Sequence, residues 1–190
     1  EVKRKISLNL ALLPCEWQDK KINLIDTPGY TDLVGEVKAA VRVSEGAVIT
    51  VCAASGVEVG TVQVWDFCNQ SGLARVFFVN KMDRENADFN KTFEQIESRF
   101  GKQCVPIRIP VGAQKDFQGT IDLLTMKAYL GSPAKESEIP DSLKEEAESF
   151  REKLVEAIAE TDDDLIEKYL GGEDISMEEL TKALGKATRD

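Results

Sequence analysis

The chain has 190 residues, 42% of them hydrophobic and 31% charged, and a net charge of −10. This length supports the core of one domain with a small second lobe. No apolar run approaches the roughly 20 residues of a membrane span, no secretory leader is visible, and the acidic balance argues against direct DNA binding, so a soluble cytoplasmic protein without membrane contact is expected.

In chain order, residues 21–25 (Lys-Ile-Asn-Leu-Ile) predict a short strand that ends in Asp26. The motif Asp26-Thr27-Pro28-Gly29 follows at once, and Tyr30 comes next. A carboxylate at the carboxyl end of a strand sits where open α/β sheets bind ligands. There Asp26 can hold a Mg2+ through water. Pro28 stiffens the turn. Gly29, without a side chain, lets its backbone N–H approach a terminal phosphate. Loss of that phosphate would release the loop, which makes a switch.

A helix is predicted over residues 36–45, a buried strand over 47–53 and a second helix over 58–71, with Val59, Val62, Val64, Trp65 and Phe67 among its apolar positions. Another apolar run, residues 75–79, predicts a strand that ends in Asn80-Lys81-Met82-Asp83, 54 positions after Asp26. Asn80 can brace neighbouring loops. Lys81 can lay its stem along a purine face. Asp83, an acceptor-only carboxylate, suits the N1–H and exocyclic amine of guanine and rejects adenine. Either motif alone is weak. Both together, each directly after an apolar strand, point to guanine-nucleotide binding. A chance pairing in an unrelated α/β domain is the competing reading. No Gly-x-x-x-x-Gly-Lys-Ser/Thr phosphate loop occurs anywhere in the chain.

Further on, residues 119–124 and 126–130 predict two short strands. Breaks follow at Ser132-Pro133 and Ile139-Pro140. Asp141 or Ser142 is placed to cap a helix with a Glu-rich first turn. Leu154, Val155, Ile158, Leu165, Ile166, Tyr169 and Leu170 predict one helix that Gly171-Gly172 ends, and Ser176 with Glu179 has the form of a capping box. The domain boundary is expected near residue 115: 1–115 as the nucleotide-binding core, 116–190 as an insert of two strands and acidic helices. Residues 132–179 hold 5 basic and 17 acidic side chains, so the acidity lies in the insert. It is either a solvated helical face or a surface that docks a protein. Cys15, Cys52, Cys68 and Cys104 form no Cys-x-x-Cys pair and the chain has no His, which disfavours zinc. Cys52 and Cys104 read as small core residues in strand-like runs.

Residues 23–65, with the Asp-Thr-Pro-Gly motif, and 75–89, with Asn-Lys-Met-Asp, resemble the G domain of elongation factor G, the ribosomal translocase, and most of all its elongation factor G-like paralogues. The likeness continues through residues 105–130 and 165–176. It implies an α/β, P-loop-GTPase-like, mostly parallel sheet with an α+β insert, lacking its first strand and phosphate loop, which are expected upstream of Glu1. It implies GTP or GDP with Mg2+ as cofactors, the ribosome as partner, and the ribosomal stalk protein as a partner of the insert. Arg4-Lys5-Ile6-Ser7-Leu8 aligns with the first switch, with Ser7 in the place of a Thr that contacts Mg2+; an edge strand or a disordered arm is the competing reading. Tyr30 stands where the family has a His that orients the attacking water. Tyr30 can position water but carries no cationic form, and it also fits a plain packing role. The intact protein is expected to be a GTPase, with a nucleotide-gated module that hardly hydrolyses GTP and a ribosomal protection or rescue factor as alternatives. This chain alone is expected to be inactive and to hold no nucleotide.

Overall fold

The computed structural model describes residues 6–188. In chain order the elements are β1 (Ala11–Trp17), β2 (Lys20–Asp26), α1 (Val34–Val41), β3 (Gly46–Cys52), α2 (Val59–Ser71), β4 (Ala74–Asn80), α3 (Phe89–Phe100), β5 (Arg108–Val111), β6 (Gly119–Asp122), β7 (Lys127–Leu130), β8 (Lys135–Ser137), α4 (Lys144–Ala159), α5 (Asp163–Gly171) and α6 (Met177–Ala187). The class is α/β. β3 and β4 pair across the crossover helix α2. A Cβ on Gly46 would lie 3.7 Å from the Ala74 carbonyl, and just past the far ends the Ala53 N–H donates to the Asn80 carbonyl at 2.9 Å. Starts meet starts and ends meet ends, so this pair is parallel, as a helical crossover requires. The β1–β2 and β5–β6–β7–β8 sheets are antiparallel.

The chain divides into two units, one reaching to Ile49 and resuming over Glu58–Phe77, the other made of Thr50–Val57 and the residues from Phe78 onward. In the first unit, β1 and β2 form a hairpin that pairs Leu13 with Leu24 and Cys15 with Ile22. Its two turn residues, Gln18 and Asp19, have φ of 47° and 58°. That left-handed pair is the geometry of a type I′ turn, which matches the strand twist. Residues 6–10 form neither strand nor helix, so the edge-strand reading of the first-switch segment fails over Ile6, Ser7 and Leu8; Arg4 and Lys5 lie outside the described residues. Val37 and Val41 on α1 pack with Cys68 on α2 and with Leu73. α1 stops at Val41, four residues before the predicted end, where Ser44 Oγ donates back to the Ala40 carbonyl. α2 begins with a capping box between Glu58 and Thr61 and ends on left-handed Gly72.

In the second unit, Ile109, Ile121, Leu123, Leu154, Ile158 and Leu180 bury one core between the four-stranded sheet and α4–α6. The hydrophobic set of the acidic segment thus reaches back to β5. Three expectations need correction. The single helix through Leu154 and Leu170 is two, because the Asp162 carboxylate accepts the Asp164 N–H and starts α5 anew. Neither Asp141 nor Ser142 caps α4: residues Asp141–Leu143 form a 3-10 turn, and the N-cap of α4 is Leu143 with no side-chain bond. Cys104 lies in a loop rather than a strand. The predicted capping box does form. Ser176 Oγ accepts the Glu179 N–H at 3.3 Å, and the Glu179 carboxylate accepts the Ser176 N–H at 3.0 Å and pairs with Lys168 at 2.5 Å.

Those partners, Lys168 first and Ser176 after it, lower the Glu179 carboxyl to about 2. A lowered carboxylate contributes stability above its unfolded pKa and loses it as pH falls through the folded one. Acid titration is therefore expected to weaken the α5–α6 pairing between the ordinary Glu range and pH 2. Glu179→Gln should lose that part of the pH dependence in a circular dichroism melt series. Parallel acid profiles for both proteins would remove Glu179 from this role.

Candidate functional site

In the first unit, β2 delivers Asp26 at its last position, exposed, and the chain then turns. Ser7 Oγ donates to Asp26 Oδ2 at 2.8 Å across 19 residues of sequence. Thr27 is half-buried and Pro28 fully buried, so the turn is anchored from within while Gly29 and Tyr30 face outward. A Cβ on Gly29 would meet nothing within 4 Å, and no left-handed φ requires glycine there. Among the described residues nothing accepts the Gly29 N–H. Neither packing nor backbone strain among the described residues explains the glycine.

Tyr30 is 56% exposed. With Ile6, Leu8, Asp32 and Leu33 it lines a shallow recess of about 340 Å³. Its carbonyl accepts the Leu33 N–H at 2.9 Å, which starts the 3-10 turn before α1.

Two hard oxygens from Ser7 and Asp26 fit a magnesium ion. The Ser7 hydroxyl would reach such an ion directly and the Asp26 carboxylate through a water. A hydroxyl can donate to a carboxylate while its lone pair faces a cation. Among the described residues no group of three or more His, Cys, Asp or Glu side chains could hold a metal. Ser7 and Asp26 supply part of a shell that phosphate and water would complete.

In the second unit, β4 delivers Asn80. Asn80 Oδ1 accepts the Lys81 N–H at 2.7 Å, and Lys81 adopts φ 63°. An Asn hydrogen-bonding the next backbone group is a local way to hold such a turn. Met82 points inward, 7% exposed, and packs with Ala53 and Ala87 beside Val79, Phe89, Ala113 and Phe117. Its carbonyl accepts the Gln114 N–H at 2.7 Å. The buried Met82 is a peg, so Asn80, Lys81 and Asp83 remain exposed at the loop surface. The Met82 side chain holds the loop from within.

Cys52, at the end of β3, is half-buried. Burial alone would raise its thiol, but the backbone of Ala54 and Ser55, the Ser55 side chain and the Lys81 charge bring it below a thiol's ordinary value. Sequence reasoning had no signal for this neighbourhood, because Lys81 lies 29 positions away. In the same unit a groove of about 800 Å³ runs between α5 and α6. It carries Lys168, Lys182 and Lys186 against Asp162, Asp164, Glu167, Glu173 and Glu179, so it is no basic face. Among the described residues no helix is long and apolar enough to cross a membrane.

The family model for the elongation factor Tu GTP binding domain matches residues 1–183. The crystal structure of a protein from Thermus thermophilus matches with a TM-score of 0.90 at 34% sequence identity, covering 98% of this chain and 28% of that one. The chain thus spans little more than a quarter of that relative.

Proposed function

Because this chain belongs to the elongation factor Tu GTP-binding domain family, we propose that it is the part of a ribosome-associated elongation GTPase that meets GTP and Mg2+ and changes shape when GTP is hydrolysed. Asp26, through water, and the Ser7 hydroxyl hold the metal, Thr27 and Pro28 shape the turn, and Gly29 gives its N–H to the terminal phosphate. Asn80 braces the second loop, Lys81 lies along the purine, Asp83 takes the guanine edge, and Met82 anchors that loop from inside. The metal, when bound, neutralises phosphate charge. Residues 116–190 act as an insert on the 1–115 core. The parent works in the cytoplasm on the ribosome. The stalk protein is the partner that family resemblance supplies for the insert; five carboxylates against three lysines argue against an acidic protein in the α5–α6 groove.

The observation that carries this reading is the 80–83 loop: a buried Met82 between exposed Lys81 and Asp83. Asp83→Asn in the full-length protein is expected to shift preference from guanine toward xanthine nucleotides, because an amide then donates where the carboxylate accepted. Losing charged hydrogen bonds should cost GTP about 2–3 kcal/mol, or roughly 30–150-fold. An unaltered GTP preference in a competition titration would sink the guanine assignment.

A second reading, a nucleotide-gated module with slow hydrolysis, is favoured by Tyr30, whose recess is walled by Ile6, Leu8 and Leu33. Ribosome-stimulated turnover separates the two. If Tyr30 orients water, Tyr30→Phe lowers the rate and Tyr30→His raises it. Equal rates for all three make Tyr30 a packing residue.

A further inference from the structure

Two long-range hydrogen bonds hold residues 6–10 to the rest of the first unit. Near one end Ser7 Oγ donates to Asp26 Oδ2 at 2.8 Å. At the other, the Leu10 N–H donates to Glu36 Oε2 at 3.0 Å. Ala11 pairs with Asp26, so without a reversal Ser7 would run on past the end of β2. The bend at Leu8 and Asn9 turns the arm back. Closing that bend directs the Leu10 N–H to Glu36. Glu36 stands in the first turn of α1, the helix that directly follows Tyr30 and the 3-10 turn. Between the two ties, Ile6 and Leu8 form one wall of the Tyr30 recess.

We propose that Glu36 is a positioning residue: its carboxylate holds the arm folded back and thereby keeps the Ser7 hydroxyl on Asp26 and Ile6 and Leu8 beside Tyr30 around the recess they line. The consequence for metal and phosphate rests on the function proposed above; the latch itself does not. A charge-assisted bond to a backbone N–H is stronger than a neutral one. Helix α1 and the arm are thus joined outside the β2 ladder. A displacement of α1 when the Asp26–Tyr30 turn moves would pull Leu10 and lift Ser7 from Asp26. The Asp26 turn and the arm then move as one device rather than as two independent loops.

Hydrogen exchange and 19F NMR on the 190-residue chain labelled with 3-fluorotyrosine test this without nucleotide, so failure here leaves the guanine assignment standing, and failure there leaves the latch standing. Tyr30→Phe assigns the Tyr30 resonance. Glu36→Ala is expected to speed exchange of the Leu10 amide about fivefold, the size of one modest hydrogen bond, and to shift the Tyr30 signal. Glu36→Gln, which keeps an acceptor oxygen of the same reach, should restore most of both. Ser7→Ala should leave Leu10 protection in place. Unchanged Leu10 exchange in Glu36→Ala overturns the latch. Faster exchange with an unmoved Tyr30 signal overturns the positioning role and leaves only a local bond. Should Glu36→Ala fail to fold, Glu36→Gln and Glu36→Lys are compared instead: full protection in Glu36→Lys overturns the proposal, and loss in Glu36→Lys alone supports it.

Discussion

Titrating the 190-residue chain with GDP and Mg2+ in a calorimeter is expected to show affinity weaker than about 1 mM, or about −4 kcal/mol. Phosphate contacts dominate binding in such domains, through a glycine-rich loop, its Lys and the metal they help hold. No such loop sequence occurs in this chain. Ser7 and Asp26 can offer two oxygens to Mg2+, but a hard, strongly hydrated cation is not held by two ligands without phosphate. Lys81 and Asp83 are exposed and can still meet a base. Those few contacts must offset several kcal/mol of lost translational and rotational freedom, and little net affinity survives. Adding a phosphate-loop segment should restore binding by several orders of magnitude. Micromolar affinity in the chain as it stands would show that its own residues replace that loop, and the roles given to Asp26 and Gly29 would need revision.

Gly112→Ala is expected to be strongly destabilising in the second unit. Gly112 has φ +75°, and a Cβ there would stand 2.0 Å from the backbone carbonyl oxygen of Asp116. Left-handed backbone costs a non-glycine residue about 1 kcal/mol, and a clash with backbone cannot be relieved by a rotamer change. The 112–117 turn must shift. It carries Ala113 and Phe117, which pack on the Met82 cluster, and Gln114, whose N–H bonds the Met82 carbonyl. We expect a loss of about 3 kcal/mol in urea unfolding, within the range of strained and overpacked sites. Amide exchange around residues 80–83 should rise with it. Gly29→Ala is the control: open space and no left-handed φ predict a change within about 0.5 kcal/mol. A Gly112→Ala loss under about 1 kcal/mol would mean that the turn relaxes freely, and the support assigned to Gln114 would fall.

What could be read from sequence was what local rules govern. The strands ending in Asp26 and Asn80, helix α2 and the Ser176–Glu179 capping box follow from apolar period, turn residues and neighbours within four positions. β1 was not legible, because the apolar run Ala11-Leu12-Leu13 and Pro14 break its alternation and its turn is Gln18-Asp19 rather than Asn-Gly. α4 and α5 share one apolar stripe, and only the Asp162 cap separates them. The motif letters alone could not tell that Met82 points inward while Lys81 and Asp83 face out. That depends on a cluster drawn from Ala53, Ala87 and Phe117. Ser7 on Asp26, Leu10 on Glu36 and Gln114 on Met82 join residues 19 to 32 positions apart. Such contacts are set by strand register and by how elements pack, which no local propensity encodes. The sequence by itself therefore determined the candidate residues and the loops that hold them; only the tertiary structure decided which of them are held together, because burial and register act across chain distances that periodicity cannot span.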